Sequence, residues 1–361
     1  MRYKLLGNSG LRVSALCLGT MGFMDGLNWG TSKQESRQVF DAFMEAGGNF
    51  IDTANTYGDG ASEAFLGEFM AADRHRVVLS TKYTGRFANG QANVDVNRAG
   101  SHRKSMVRAV EESLKRLKTD YIDLLWVHSW DFLTPVEEVM RALDDLVRQG
   151  KILYTGVSNA PAWIIAQANT LATMRGWTPF AGVQVEYSLL ERDAERDLLP
   201  MSRAFDIGVT AWTPLASGWL TGKYRENGQQ TTDGALRRLD DAMMGRFVQR
   251  SAQNKAIVEE VVGVAEELAC TPAQVALNWV RCKGCIPIFG ARTVRQVREN
   301  MTCIEYEMSD EHLRRLDEVS RIHLGYPHAF LASGMVKNFI YGGFHDRIDN
   351  HRQVLLHGSR A

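Results

Sequence analysis

The chain has 361 residues, 45% hydrophobic and 23% charged, and its 42 basic residues balance its 42 acidic ones to a formal charge of zero. That balance excludes a chain-wide basic footprint for nucleic acid and an acidic tail, while the apolar share suffices for a sizeable core. No run of about 18 apolar residues occurs, so no transmembrane helix is expected.

In chain order, the start lacks an apolar leader with a small-residue cleavage site, which leads us to expect a cytoplasmic protein. Residues 3–13, with Gly7-Asn8-Ser9-Gly10 at the centre, read as a β-hairpin that plugs one end of the fold. Strands are predicted at 15–20, 50–54, 77–82, 122–128, 153–158, 182–187, 209–214 and 285–290. Most are continuous apolar runs, as strands buried on both faces should be. Helices are predicted between them at 33–46, 63–70, 103–117, 135–148, 162–174, 195–205, 254–268 and 272–281, with Gly47-Gly48, Gly150 and Gly208 at helix stops. Eight strand–helix units predict parallel pairing and an α/β fold closed into a (β/α)8 TIM barrel, with an open doubly wound sheet as the alternative. Residues 216–250 form a long polar insertion after the seventh strand, and residues 321–361 a C-terminal extension; with no linker in the chain, all 361 residues are expected to form one domain.

Five cysteines, Cys17, Cys270, Cys282, Cys285 and Cys303, are too few and too odd for a disulfide framework. Cys282 and Cys285 form a CxxC, but no second pair of zinc ligands stands nearby, so both read as packing residues.

Chemistry in such a barrel sits where the strands end. The second strand ends at Asp52 with Tyr57 five residues on, the third at Lys82 and the fourth at His128. Singly, each has a bland explanation as a turn former, a solvated charge or a half-buried ring. Together they converge on one mouth. The apolar run before Lys82 draws it inward, and a buried ammonium needs a partner, which Asp52 supplies. A free tyrosine is a poor acid at neutral pH, and a nearby lysine is expected to lower its pKa. His128 can hydrogen-bond a substrate oxygen. The set suits proton donation to a carbonyl oxygen, and since no side chain supplies hydride, a nicotinamide cofactor is implied.

These residues and their neighbours resemble the aldo-keto reductase superfamily. The similarity runs in family order through Asn49-Phe50-Ile51-Asp52-Thr53-Ala54, Tyr57-Gly58-Asp59-Gly60, Ser80-Thr81-Lys82, Asp123-Leu124-Leu125-Trp126-Val127-His128, Gly156-Val157-Ser158-Asn159, Gln184-Val185-Glu186-Tyr187 and Trp212-Thr213-Pro214-Leu215. It is nearest to the branch of potassium-channel β subunits and bacterial reductases, because Trp212 stands where other branches commonly carry Tyr. The resemblance implies a catalytic tetrad of Asp52, Tyr57, Lys82 and His128, and NADP(H) held without a Rossmann unit. Gly58-Asp59-Gly60 begins a GxGxxG that Glu63 breaks.

By the same resemblance Ser158, Asn159 and Gln184 hydrogen-bond the nicotinamide carboxamide, Thr20 and Asp52 also bind the cofactor, and Trp212 stacks on the nicotinamide ring. Thr213, Leu215 and Lys223 take the pyrophosphate side. Gly290, Arg292, Thr293, Gln296, Glu299 and Asn300 take the adenosine end, with Arg292 or Arg295 pairing with a 2′-phosphate at a helix start. Gly290 replaces a lysine common in other branches, which shifts the phosphate grip onto Arg292.

Trp29, Tyr83, Trp130, Phe132 and Trp219 are expected to line an apolar substrate pocket. The tail is expected to pack either on the barrel mouth or on another subunit. The expected partner is a small-molecule carbonyl compound, with neither nucleic acid nor membrane. Two alternatives stand beside carbonyl reduction: a cofactor-binding regulatory or scaffold subunit of the same fold, and a metal-dependent hydrolase, which lacks its His-x-His pair here.

Overall fold

A computed structural model of the chain describes residues 1–25, 30–86, 95–223 and 251–349. The N-terminal strands β1 (Tyr3–Leu5) and β2 (Arg12–Ser14) pair antiparallel as the predicted hairpin. Eight further strands follow: β3 (Cys17–Gly19), β4 (Phe50–Asp52), β5 (Val78–Tyr83), β6 (Ile122–Val127), β7 (Ile152–Ser158), β8 (Phe180–Glu186), β9 (Gly208–Trp212) and β10 (Ile286–Phe289). They pair in parallel in chain order, and β10 closes onto β3. The expected (β/α)8 barrel is therefore the observed one.

The helices between strands start where the sequence offers caps. Ser32 and Glu35 form a capping box on α1 (Lys33–Glu45). The next are α2 (Ala61–Phe69), α3 (Arg103–Leu117), α4 (Val136–Arg148) and α5 (Ala162–Arg175). One element shrinks from its predicted span of 195–205. Pro200 would fall inside that helix, and α6 (Leu198–Ala204) instead begins where proline occupies the first turn. Residues 224–250 of the insertion lie outside the described residues. Then come α7 (Ala252–Glu267), α8 (Pro272–Cys282), α9 (Val294–Met301) and α10 (Asp310–Val319).

Strand alternation sorts the side chains into two clusters. Leu79 and Tyr83 point out to the helices, whereas Val78, Phe50, Leu124, Trp126, Ile286 and Ile288 fill the barrel. Leu6 of the hairpin joins the inner cluster. A Cβ on Gly7, whose φ is +53°, would stand 2.5 Å from Ala181 O and Gly208 N, so the hairpin seals the end where β8 and β9 begin. Trp126 forms the middle layer and requires glycine on two neighbouring strands. A Cβ on Gly182 would lie 2.8 Å from its ring, and one on Gly156 would overlap it. The plug and this indole leave the opposite end of the barrel for polar side chains.

Beyond α10, α11 (His328–Ala332) and α12 (Gly334–Tyr341) form the tail. Among the described residues, the tail from Leu324 on makes no hydrogen bond back to the barrel, and Tyr326 and Phe339 are 86% and 85% exposed. No helix among the described residues is long and apolar enough to cross a membrane.

Candidate active site

Asp52 ends β4 beside Ser80 of β5, and Lys82 lies two residues further along the same inward face. Lys82 is fully buried, and its ammonium has three donors to place. One goes to Asp52 Oδ2, one to Thr53 O at 2.8 Å and one to Tyr57 Oη at 3.2 Å. The remaining oxygen of Asp52 accepts from Ser80 Oγ at 2.8 Å and Gln184 Nε2 at 3.0 Å. The buried ion pair is thus fully hydrogen-bonded, the condition under which such a pair is tolerated.

Tyr57 opens a tight turn in which Gly58, Asp59 and Gly60 all have positive φ, at +59°, +51° and +96°. A Cβ on Gly58 would meet Met24 Cβ at 2.8 Å, and Asp59 holds a left-handed conformation that non-glycine residues rarely adopt. This turn brings the half-buried Tyr57 back over Lys82, whose ammonium lies 4.8 Å from the ring centre. His128, immediately after β6, meets the Tyr57 ring edge-on at 6.3 Å between centres. The tetrad predicted from strand ends is therefore brought together in space.

The electrostatics correct one expectation. Burial pushes the Tyr57 phenol above its ordinary value; Lys82 pulls it down but does not win. Tyr57 is accordingly a protonated donor at neutral pH. Burial opposes the charge on Lys82, yet Asp52 and Tyr57 outweigh it and raise its pKa. His128 is pushed down to about 3, by burial first and the Lys82 charge second, so its imidazole is neutral at physiological pH.

Ser158 ends β7 with a buried hydroxyl that has no hydrogen-bond partner among the described residues. Asn159, at φ +48°, donates Nδ2 to His128 O at 2.9 Å. Gln184 faces the same mouth but is engaged with Asp52. Trp212 ends β9 opposite Glu186, and Thr213, at φ +50°, donates Oγ1 to Glu186 Oε1 at 3.4 Å. Leu215 follows and accepts from Gly218 N at 2.9 Å, and Lys223 closes the described part of this loop. Glu186 is raised to about 7, by burial and then by the Glu191 charge.

Past β10, Gly290 and Arg292 lead into α9. Thr293 Oγ1 caps the helix by accepting from Gln296 N, while Gln296 Oε1 accepts from Arg292 N at 2.8 Å. Glu299 O takes Gln274 Nε2 at 2.8 Å, and Asn300 is buried behind the helix. Hydrogen bonds from Ser32 lower the pKa of Glu35 on α1, and the charge of Arg292 adds a smaller effect in the same direction.

Four expectations, at Tyr83, Trp130, Trp219 and Thr20, differ from what is found. Tyr83 is odd in the β5 alternation, faces the helices and donates its hydroxyl to Ser101 O, so it lines no mouth. Trp130 is likewise buried in the outer cluster, as is Trp219. Thr20 is fully buried, its hydroxyl bonded to Asp52 O and Ser62 Oγ, and its side chain serves the strand end. Phe132 is exposed, and Trp29 lies outside the described residues. Sequence reasoning assigned no role to Ser80, which the Val78-Ser80-Lys82 alternation marks as inward-facing. It also passed over Ser217 in the loop after β9, whose buried hydroxyl has no partner among the described residues.

A sequence model of the aldo/keto reductase family matches residues 15–321. Norsolorinic acid reductase of Aspergillus flavus is 38% identical, over 91% of this chain and 83% of its own length. A putative aryl-alcohol dehydrogenase of Saccharomyces cerevisiae is 34% identical over 90% and 87%. An aryl-alcohol dehydrogenase [NADP(+)] of Phanerodontia chrysosporium is 34% identical over 95% and 92%. With the barrel, the buried Lys82–Asp52 pair and the Tyr57 turn in place, this chain belongs to the aldo/keto reductase family and is an oxidoreductase of carbonyl and alcohol groups.

Proposed function

We propose that the protein reduces an aromatic aldehyde or ketone to its alcohol with NADPH, reversibly, with Tyr57 as general acid in reduction and base in oxidation. The observation that carries this reading is the Lys82 ammonium held between Asp52 and the Tyr57 hydroxyl. The residues around the mouth suit a nicotinamide dinucleotide. Ser158 and Ser217 keep buried hydroxyls without partners among the described residues, and the first-turn N–H groups of α9, apart from the Gln296 N–H that Thr293 caps, have no helical acceptor. A 2′-phosphate fits Arg292 or Arg295 at that helix start.

When bound, the reduced nicotinamide supplies hydride to the carbonyl carbon. Every other role falls to this chain. Neutral His128 donates a hydrogen bond to the carbonyl oxygen and orients it. Tyr57 transfers its phenolic proton to that oxygen as negative charge develops there. The phenolate left behind is stabilised by Lys82 at 3.2 Å, and Asp52 keeps Lys82 charged. Ser80 and Gln184 hold Asp52 in turn. Five free thiols suit a reducing compartment, in line with a cytoplasmic enzyme.

The aromatic preference rests on relatives named for norsolorinic acid and aryl alcohols. The test follows NADPH consumption with aromatic aldehydes, aryl ketones, aliphatic aldehydes and keto-sugars. The highest kcat/KM is expected among the aromatic carbonyls. A preference for keto-sugars would overturn the substrate class, and failure to oxidise NADPH with any carbonyl would favour a cofactor-binding subunit instead.

A further inference from the structure

Outside the tetrad, a cavity of about 230 Å³ lies between α3 and the loop that carries Tyr57. Ser105, Arg108, Ala109, Glu112 and Arg116 line it from one face of α3, at helical spacing. Asn55, Thr56 and Asp59 line it from the Tyr57 loop, Arg86 from the end of the segment after β5, and Arg98 from the short turn before α3.

Four guanidinium groups and two carboxylates share this lining, and two further carboxylates behind it bring the local charge to balance. Glu112 is shared by Arg98 at 3.2 Å and Arg108 at 2.9 Å. Asp95 and Glu63 pair with Arg108 and Arg116 from outside the lining. Arg86 has no carboxylate partner among the described residues, and each of the others keeps N–H donors that these pairs do not use.

A solvated helix face would explain the arginines alone, but not two further atoms. Ser105 is 2% exposed, yet its Oγ has no hydrogen-bond partner among the described residues. Asn55 donates Nδ2 to Gly85 O at 3.4 Å, while its buried Oδ1 accepts from no described residue. Buried polar atoms left unpaired are costly and call for a ligand or water. The unpaired donors suit an anion, and Asn55 Oδ1 asks for a ligand hydroxyl. The space exceeds that of a single water and falls short of a drug-sized pocket.

We propose that this cavity is a second binding site, for a small phosphate monoester that carries a free hydroxyl. Its phosphoryl oxygens meet Arg86, Arg98, Arg108 and Ser105, and its hydroxyl meets Asn55. Asn55 lies two residues from Tyr57, and its N–H bonds Lys82 O at 3.3 Å, so an occupant touches the loop that presents the catalytic phenol.

The test is calorimetric titration of the full chain with glycerol phosphate, inorganic phosphate and glycerol. Saturable binding of glycerol phosphate is expected, with weaker binding of inorganic phosphate and none of glycerol. Arg86→Gln should weaken glycerol phosphate by about 10-fold or more, the lower end for a charged hydrogen bond. Ser105→Ala keeps a good helix former and should weaken it by roughly 2–10-fold. Circular dichroism checks that both variants fold. Arg292→Ala, at the α9 phosphate position, should leave this binding unchanged. Absence of saturable binding, wild-type affinity for glycerol phosphate in both cavity variants, or loss on Arg292→Ala alone would each overturn the proposal. If inorganic phosphate matched glycerol phosphate, the hydroxyl recognition by Asn55 would be wrong and the monoester class with it.

Discussion

Replacing Lys82 by methionine removes the charge that sits 3.2 Å from the Tyr57 hydroxyl while keeping a side chain of similar length. At an effective dielectric of about 20, a unit charge at that distance stabilises a phenolate by on the order of 5 kcal/mol, part of which Asp52 offsets from across the ammonium. Burial already pushes the phenol upward and Lys82 is the main opposing influence, so its loss moves Tyr57 further in the same direction. Oxidation of an alcohol needs the phenolate, so its rate rises as pH climbs through the Tyr57 pKa. The variant's profile must therefore shift to more alkaline pH. Carbonyl reduction at neutral pH should fall by ~10²–10⁴, the range that general acid catalysis supplies. Asp52 would be left buried without its cation, at a cost of about 3–5 kcal/mol in stability. The double variant Lys82→Met with Asp52→Asn removes both charges and should recover much of that stability, with no recovery of rate. Stopped-flow pH profiles of both variants, with thermal unfolding alongside, decide the matter. A folded variant whose oxidation profile overlays the wild type would refute the electrostatic role of Lys82.

Ser158→Ala should leave thermal stability unchanged or slightly raised, since it deletes a buried hydroxyl with no partner among the described residues, while weakening NADPH; unchanged NADPH affinity by fluorescence titration would remove Ser158 from the cofactor site. Arg292→Ala should weaken NADPH by ~10–150-fold and leave NADH nearly unchanged, and equal losses would mean that Arg292 serves the fold or the adenine. Gly156→Ala should destabilise by roughly 1–3 kcal/mol in urea unfolding, because the added methyl overlaps the Trp126 indole and Gly182 O lies 3.0 Å away; a neutral result would show that the middle layer of the barrel can yield.

The barrel was legible because its strands are apolar on both faces and its helices carry strong stops, so Asp52, Lys82 and His128 could be placed at successive strand ends. Pairing distances were not legible, but the pairing itself followed from the cost of a lone buried ammonium. What escaped was parity at the strand ends. Tyr83 is next to the mouth in sequence, yet it follows inward-facing Lys82 and must point outward. The bond from Gln184 to Asp52 is invisible in sequence, because nothing local in the chain says that β8 brings this amide to a carboxylate 132 residues away. The sign of the Tyr57 shift escaped for a related reason. The charge of Lys82 is visible in sequence, whereas the burial that outweighs it exists only once the turn through Gly58 and Gly60 has folded over the barrel.

The central claim is that Tyr57 delivers the proton, and Tyr57→Phe tests it most directly, because only the hydroxyl is lost and the Lys82–Asp52 pair stays intact. Binding of NADPH and reduction of the best carbonyl substrate should be measured on the same preparation. We expect wild-type NADPH affinity together with a fall in kcat of ~10²–10⁴. A variant that binds NADPH and turns over at near the wild-type rate would contradict the assignment.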